Sequence, residues 1–435
     1  MTRAPRARVA AAVLAAALTA TGALAGCGAG GGGDQDGGRP TLTWFINPDG
    51  GGGRKNGGGQ AQIAVECSTD RYDIEVQQLP NSASDQRIQL LRRLAAGDSG
   101  VDLMSIDPVF VPEFAEAGYL APVPEDKQKE FTQDRVDSAI ESSRWKDEMV
   151  TVPFWANTQV LWYRKDVAKK AGLDMTTPVT WDEVIEAAQK TGTTVGVQAS
   201  LYEGYVVWIN ALVSGAGGKI VENPGADADT VQLGLDSDEG RKAAAIIRKV
   251  SDTGVGGPAM GSSQETESLA LFQGRSGGFL VNWPYTFAAV AGDKKLVKNL
   301  GWARYPQTVQ GKESAPPFGG IQLGVGANSA HPDLAYEAAG CITNQEHQTL
   351  YMLKTGNPAS RKKVYDDPKV KEGFPMAGLI RTSLDAAAPR PQTQYYGDVS
   401  TAIQQRFSPP DKVTADSPAQ TQTFIKDVMK GEALL

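Results

Sequence analysis

Aromatic side chains are interleaved with amides and carboxylates in three segments of this chain. The segments read VPFWANTQVLWYRKDV at residues 152–167, YEGYVVWIN at residues 202–210 and VNWPYTF at residues 281–287. This mixture suits sugar recognition, because sugar C–H faces stack on flat aromatic rings while the hydroxyls both donate and accept hydrogen bonds. The residue types therefore indicate a carbohydrate-binding site.

Tryptophans can equally fill a hydrophobic core, so each of them has two interpretations. Trp162 and Trp208 lie at strand and helix positions, which favours the core. Trp283 precedes a proline, where the chain is expected to turn, and Trp155 lies beside Asn157 in a segment that we expect to cross between domains. We therefore predict that Trp155 and Trp283 belong to the site.

Residues for catalysis or metal binding are scarce. Of the two histidines, His331 precedes a proline and His347 lies in the polar run NQEHQ, and we expect both to be solvated. No histidine pair has metal-ligand spacing, a Ser-His triad has almost no base to choose from, and no phosphate-binding loop of the form G-x-x-x-x-G-K-[ST] occurs. We predict neither a metal nor a cofactor.

The first 26 residues have the pattern of a secretion signal. A start with three arginines precedes an uncharged, alanine-rich run, which ends in Leu24-Ala25-Gly26-Cys27. We predict that residues 1–26 are removed, that Cys27 carries lipid, and that residues 27–39 are a glycine-rich tether. The protein would then be anchored to the outer face of the cytoplasmic membrane. A plain cleaved signal and an uncleaved anchor are the alternatives.

The charge balance limits the possible partners. Removing residues 1–26 deletes three arginines and no acid, so the formal net charge changes from -7 to -10. An acidic chain argues against nucleic acid and anionic lipid, which bind basic patches. Membrane contact is therefore expected only through the lipid on Cys27. About 400 residues exceed what one hydrophobic core usually serves, which predicts two domains.

Two cysteines remain if Cys27 carries lipid. Cys67 and Cys341 would then be a pair in an oxidising compartment, where a disulfide between them is expected. Such a bond would place two segments, separated by about 270 residues, in one domain. Two free buried thiols are the alternative.

Strand-like and helix-like patterns alternate along the chain, which predicts an α/β architecture. Helical periodicity predicts a helix that begins near Ser84 or Asp85, with Ile88, Leu91, Leu94 and Ala95 on one face. Another helix is predicted from His331 to about residue 352. Strands are predicted at residues 41–46, 101–106, 158–163, 277–281 and 321–325.

The chain resembles the extracellular solute-binding proteins of ABC sugar importers, a family that includes maltose-binding protein. The resemblance covers essentially the whole mature chain. It is carried by SASDQRIQLLRRLAAGDSGVDLMSID, VPFWANTQVLWYRKDV, LALFQGRSGGFLVNWPYTF, FGGIQLGVGANSAHPDLAYEAAGCI and APRPQTQYY. Within the family the chain is most similar to the trehalose-binding lipoproteins of mycobacteria, and both Cys67 and Cys341 match there.

The resemblance implies a fold and its division into domains. The implied fold is α/β, with two periplasmic-binding-protein-like lobes joined by a hinge and a ligand cleft between them. Lobe 1 would comprise residues 40–153 and 317–345, and lobe 2 would comprise residues 154–316 and 346–435. Both cysteines then fall in lobe 1.

The resemblance also implies ligand-binding residues. Those that match the family's sugar site are Asp107, Asn157, Glu203, Trp283, Gly320 and Arg390. Asp85 stands where the relative has a glutamate. Residues added from their chemistry and expected placement are Asn47, Trp155, Tyr285 and Tyr396. The sequence WAN replaces a threonine-rich stretch of the relative, close to the expected cleft, so the resemblance implies the fold more securely than the identity of the sugar.

The implied function is capture of a disaccharide, trehalose or a related glucoside, and its delivery to a membrane permease driven by an ATPase. We expect a monomer without catalytic residues. A lipid-anchored glycoside hydrolase is the competing class, because Asp85, Asp107 and Glu203 could place two carboxylates around a glycosidic bond. A binding protein for another oligosaccharide and an adhesion module are further alternatives. The glycine-rich loop at residues 50–59 could border the cleft.

Overall fold

The computed structural model describes residues 39–48 and 58–435. The predicted signal, the lipid-bearing Cys27, nearly all of the predicted tether and most of the glycine-rich loop lie outside the described residues. None of the helices within the described residues is long and apolar enough to cross a membrane.

The secondary structure alternates between strands and helices, as the sequence pattern predicts. The strands are β1 (Thr41–Ile46), β2 (Asp73–Gln78), β3 (Leu103–Ile106), β4 (Arg144–Trp145), β5 (Glu148–Met149), β6 (Val152–Thr158), β7 (Val160–Arg164), β8 (Thr194–Gly196), β9 (Gly277–Asn282), β10 (Leu300–Ala303) and β11 (Phe318–Val325). The helices are α1 (Gly58–Cys67), α2 (Ala83–Ala95), α3 (Val111–Glu116), α4 (Glu125–Thr132), α5 (Asp137–Glu141), α6 (Lys165–Ala171), α7 (Trp181–Thr191), α8 (Glu203–Ala216), α9 (Asp238–Asp252), α10 (Glu265–Gln273), α11 (Tyr285–Val290), α12 (Lys294–Asn299), α13 (Pro332–Ile342), α14 (Gln345–Thr355), α15 (Pro368–Gly373), α16 (Ala377–Asp385), α17 (Tyr396–Phe407) and α18 (Ser417–Met429).

The described strands form two main sheets and a small β4–β5 hairpin. The first sheet has the order β2-β1-β3-β11-β6, in which β1 is parallel to β2 and β3, and β11 is antiparallel to β3 and β6. The second has the order β10-β7-β9-β8, in which only β8 and β9 pair in parallel. The predicted α/β class is confirmed.

The passage between the two sheets is short. Thr158 ends β6 in the first sheet and Val160 begins β7 in the second, so Gln159 alone links them. The predicted strand at residues 158–163 is therefore two strands, because the chain changes sheets at this point. A second passage, residues 304–317, runs from β10 back to β11.

Two helix predictions are wrong in detail. The helix predicted from His331 to about residue 352 is two helices. The first ends at Ile342, and Asn344 caps α14, its side chain accepting from the His347 backbone N–H at 2.8 Å. Helix α2 buries Leu90 and Leu94, whereas Ile88 is 37% exposed. Its buried face is rotated from the predicted one because the packing partners, and not the periodicity alone, select the inward positions.

The second sheet lies beside an aromatic core. Trp162 and Trp208 are fully buried, as predicted. Trp208 packs against Trp181 with ring centroids 5.6 Å apart, and Trp181 is the first residue of α7. A reciprocal capping box between Thr180 and Glu183 fixes the start of that helix.

A disulfide joins the end of α1 to α13. Cys67 and Cys341 are bonded, with their Cα atoms 5.7 Å apart across 274 positions of sequence. The prediction that His347 is solvated is wrong. Helix α14 packs on α1, and His347 is only 6% exposed. Its Nδ1 lies 2.7 Å from the Cys341 carbonyl oxygen and its Nε2 lies 3.2 Å from the Glu66 carboxylate.

The lobe boundaries predicted from the sequence remain a prediction. Near the predicted end of the first lobe, α14 contacts α1, and its Tyr351 joins the apolar cluster around Trp44. Near the C-terminus, α17 packs on α8 and α18.

Replacing Gly320 with alanine should destabilise the fold. Gly320 has a φ of +121°, and a Cβ there would lie 2.2 Å from the Trp155 carbonyl oxygen across the β6–β11 pair. We expect Gly320→Ala to lower the free energy of unfolding by about 1–3 kcal/mol, measured by denaturant titration. Gly378→Ala is the control, because this exposed helical glycine has no atom within 4 Å of the added Cβ. Its stability should be unchanged or raised by up to about 1 kcal/mol; equal losses in both variants would contradict the close approach.

Candidate functional site

Three charged residues, Asp107, Glu203 and Arg390, lie at the ends of regular elements or in a segment that is hydrogen-bonded to a strand. Asp107 directly follows β3 and caps a short 3-10 turn by accepting from the Val109 N–H at 3.3 Å. Glu203 is the first residue of α8. Arg390 lies between α16 and α17, in a segment that pairs with the start of β11 through Ala388.

Arg390 binds both carboxylates. Its Nη1 donates to Glu203 Oε1 and its Nη2 donates to Asp107 Oδ1, each at 2.6 Å. Arg390 is 4% exposed. Desolvation opposes its charge, but the negative charges of Asp107 and Glu203 outweigh that effect and raise the pKa of the guanidinium. The ion pairs therefore connect the end of β3 in the first sheet to the N-terminus of α8.

Hydroxyl groups complete the coordination of Glu203. Tyr396 Oη donates to Glu203 Oε1, and Ser400 Oγ donates to Oε2 at 2.6 Å. The Tyr396 ring packs edge-on against Phe110, with centroids 5.7 Å apart. Two residues of α17 thus bind the Glu203 carboxylate, and one of them also packs against the turn after β3.

Trp283 lies close to the passage between the sheets. Its backbone N–H donates to Asn282 Oδ1 at 2.8 Å. Its six-membered ring borders Gly319, where a Cβ would lie 3.2 Å from Cη2. Gly319 pairs with Asn157 of β6. The structure therefore brings the predicted residues Asn157 and Trp283 to one place, with glycine leaving room for the indole.

Glu265 was not predicted from the sequence, yet its carboxylate lies beside the predicted aromatic residues. It is the half-buried first residue of α10, and it interacts with the side chains of Tyr202 and Trp283. Desolvation raises the pKa of Glu265, and its negative charge in turn contributes to the raised pKa of Tyr285, after burial. The capping box between Gln264 and Glu267 is a sequence signal that places Glu265 at a helix start.

The remaining predicted residues have different surroundings. Trp155 is buried against Tyr351, with ring centroids 6.1 Å apart. The Asn47 carbonyl oxygen accepts from Gln60 at 2.9 Å. Gly320 lies next to Gly319 in β11. Asp85 is exposed on α2. Within the described residues, no hydrogen bond or ion pair joins its side chain to Arg390, Asp107 or Glu203.

Several buried polar atoms near the passage have no protein partner among the described residues. They are Trp155 Nε1, Thr158 Oγ1, Gln159 Oε1 and Arg390 Nε. Buried polar atoms in native proteins are nearly always hydrogen-bonded. These atoms supply both donors and acceptors, which is what a polyhydroxylated ligand can use.

A metal does not fit the one cluster of suitable type within the described residues. Cys67, Cys341 and His347 lie close together, but a disulfide joins both sulfurs. Metal binding by cysteine requires the thiolate.

Comparisons with known proteins agree with one another. The family model described as bacterial extracellular solute-binding protein matches residues 69–349. The chain is similar to a probable ABC transporter-binding protein of Deinococcus radiodurans, with 25% identity over 369 residues that cover 80% of this chain and 84% of the relative. It is 23% identical over 313 residues to the galactooligosaccharide-binding protein of Bacillus subtilis, covering 71% of each. The fold is similar to that of maltose-bound T. maritima MalE3, with a TM-score of 0.76, 24% identity and coverage of 90% and 100%.

The stability of the protein should carry a pH dependence from Glu265. Its folded-state pKa is raised above 4.5, so the native state holds this proton more tightly than the unfolded chain. Stability is therefore lost as the pH rises from about 4.5 through the folded-state pKa. Glu265→Gln removes this contribution. We expect the wild type minus Glu265→Gln difference in unfolding free energy to fall with rising pH, by up to about 1.4 kcal/mol per pH unit, in denaturant titrations from pH 4 to 7. A flat or rising difference would show that the carboxylate is not desolvated.

Proposed function

Because this chain belongs to the bacterial extracellular solute-binding protein family, we propose that it captures a disaccharide, trehalose or a related glucoside. It would act as the lipid-anchored, monomeric substrate-binding component of an ABC carbohydrate importer, delivering the sugar to a permease and its ATPase. The matching relatives are binding proteins of ABC transporters rather than enzymes. The observation that carries the proposal is the convergence of Asp107, Glu203 and Arg390 from separate elements.

The arrangement suits capture by closure. Asp107 follows a strand of the first sheet, whereas Glu203 and Trp283 follow elements associated with the second. A sugar that contacts both sets stabilises the closed form by its higher affinity for that state. Inside a closed cleft, a polar group left without a partner costs about 1–3 kcal/mol. Disaccharides with hydroxyls in the wrong places would be rejected on that basis.

Support for a sugar ligand comes from chemistry and from relatives. Trp283, Tyr202 and Tyr285 lie around the Glu265 carboxylate, which is the mixture of aromatic and acceptor groups that sugars require. The names of two similar proteins refer to galactooligosaccharide and to maltose. The choice of trehalose rests on the motifs around Asp107, Trp283 and Arg390 given above.

The glycoside hydrolase alternative is disfavoured by the charge pairing. Asp107 and Glu203 both bind the same arginine. A hydrolase needs one protonated carboxylic acid and one free carboxylate or nucleophile. Because Arg390 binds both carboxylates, neither is left free to act on a glycosidic bond.

A disaccharide panel tests the function. Trehalose, maltose, cellobiose and lactose would be titrated calorimetrically and in thermal unfolding, with product analysis alongside. We expect at least one sugar to stabilise the wild type by about 2.7 kcal/mol at a hundred times its Kd, without products. Trp283→Ala should lose this stabilisation while remaining folded, because the stacking surface is gone.

Trp145→Ala provides the matched control, since this partly exposed tryptophan contacts Glu116 on the surface of the first-sheet region. It should keep the sugar response. Release of monosaccharides would support the hydrolase, and no response to any sugar would leave the carbohydrate proposal without support.

The anchor is tested separately. In cells, Cys27→Ala should release the protein to the medium, because lipid can no longer be attached, while the purified variant should bind sugar as the wild type does. Fractionation followed by calorimetry measures both properties. Retention in the membrane fraction would contradict lipid anchoring through Cys27.

A further inference from the structure

We propose that Gln159 and Gln198 are positioning residues that couple the link between the two sheets to the wall formed by Glu265 and Trp283. This inference rests on the proposed sugar-binding function of that wall. It adds two buried amides, neither of which is in the aromatic and charged set considered so far.

Gln159 occupies a special position in the chain. It is the single residue between β6 of the first sheet and β7 of the second. It is 1% exposed, and its Nε2 donates to Gln198 Oε1 at 3.0 Å. Any rotation of one sheet relative to the other must change the backbone at or beside this residue. The side chain of Gln159 therefore moves when the conformation of the link changes.

Gln198 passes the connection on to α10 and β9. Its Nε2 donates to Ser268 Oγ and to the Val281 carbonyl oxygen, each at 2.9 Å. Ser268 lies one turn into α10, and its Oγ donates to the Glu265 carbonyl oxygen at 3.0 Å. The start of α10, which carries the Glu265 carboxylate, is thereby tied to Gln198.

Asn282 closes the network at the other end of the wall. Its Nδ2 donates to the Glu265 carbonyl oxygen at 3.0 Å, and its Oδ1 accepts from the Trp283 N–H at 2.8 Å. Asn282, Ser268 and Gln198 are all essentially inaccessible to solvent. Buried amides and hydroxyls must keep their hydrogen bonds, so the network resists rearrangement in parts and favours movement as a unit.

The side chains of the network are amides and one hydroxyl, and Glu265 takes part through its backbone carbonyl. The titratable side chain that Asn282 meets is Tyr285, and burial raises the pKa of that phenol further above neutral pH. The effect of the network on the wall should therefore be independent of pH, unlike the effect of the Glu265 carboxylate itself. Gln159 Oε1 has no partner among the described residues, so the connection from the link to Gln198 depends on one hydrogen bond. That bond is the point to test.

Gln159→Met keeps the length of the side chain and removes this bond. We expect its affinity for trehalose, or for the tightest-binding disaccharide of the panel, to fall about 2- to 10-fold, equally at pH 5.5 and 7.5. The indole N–H resonance of Trp283 in the unliganded protein, assigned by its loss in Trp283→Phe, should shift. Gln159→Met combined with Gln198→Met should bind no more weakly than Gln198→Met alone, because both act through one bond.

Gln322→Met is the matched control. Gln322 is also a 1% exposed glutamine with one unpartnered oxygen, and its Nε2 donates to Ala139 and Ser142 at 2.9 Å in the first-sheet region. It should lose thermal stability at least as much as Gln159→Met, but its sugar affinity and the Trp283 resonance should stay those of the wild type.

The outcomes separate the inference from the proposed function. If the wild type binds sugar but Gln159→Met behaves like Gln322→Met in affinity and in the Trp283 resonance, the coupling is overturned and the sugar function stands. If no sugar binds the wild type, the function fails. The unliganded Trp283 resonance then decides the coupling by itself, with a shift only in Gln159→Met supporting it and no shift overturning it.

Discussion

The pairing of buried Arg390 with two carboxylates constrains the rest of the site. A guanidinium that is 4% exposed is tolerated only when acceptors surround it, since removing one partner of a buried pair costs about 3–5 kcal/mol. Asp107 and Glu203 supply those acceptors from elements that are far apart in the sequence. The end of β3, the start of α8 and the segment before α17 must therefore keep their relative positions whenever the pair is intact. Tyr396 and Ser400 hold the shared carboxylate from α17, which extends the same constraint to the C-terminal helices.

The glycines of β11 allow the two sheets to meet beside this charged group. Gly320 approaches the backbone of β6 too closely for a Cβ, and Gly319 leaves room for the Trp283 ring. Immediately beyond β6, Gln159 makes the passage to the second sheet. The strands end where the chain crosses from one sheet to the other. For this reason the inter-sheet link lies next to the aromatic stacking surface and the buried amides. Such crossings are where the backbone can change with least disruption to the sheets.

The first sheet depends on contacts between distant parts of the chain. Its order places β11 between β3 and β6, so residues beyond 317 complete a layer begun near residue 41. The Cys67–Cys341 disulfide ties α1 to α13 across the same interval. His347, packed against that disulfide and Glu66, fills the position where α14 meets α1. A closed loop of this length restricts the unfolded chain more than the folded one, which gives the disulfide a structural role independent of the ligand site.

Local sequence alone determined the elements with the strongest signals, because hydrophobic periodicity, helix caps and glycine or proline signals act over a few residues. The five predicted strand regions, the capping box of α7, the buried Trp162 and Trp208 and the cysteine pair all follow from such signals or from residue type. Family resemblance added Asp107, Glu203 and Arg390, but their mutual pairing required the tertiary structure, since their separation along the chain carries no distance information. The same is true of Glu265. Its sequence position indicates only an acidic residue at a helix start, and the tertiary structure places Tyr202 and Trp283 beside it. It is also true of His347, because its polar neighbours in the sequence are not its neighbours in the folded protein. The exposure of Ile88 could not be predicted from periodicity alone. Periodicity identifies an amphipathic helix, but the surface that packs against the helix decides which residues are buried.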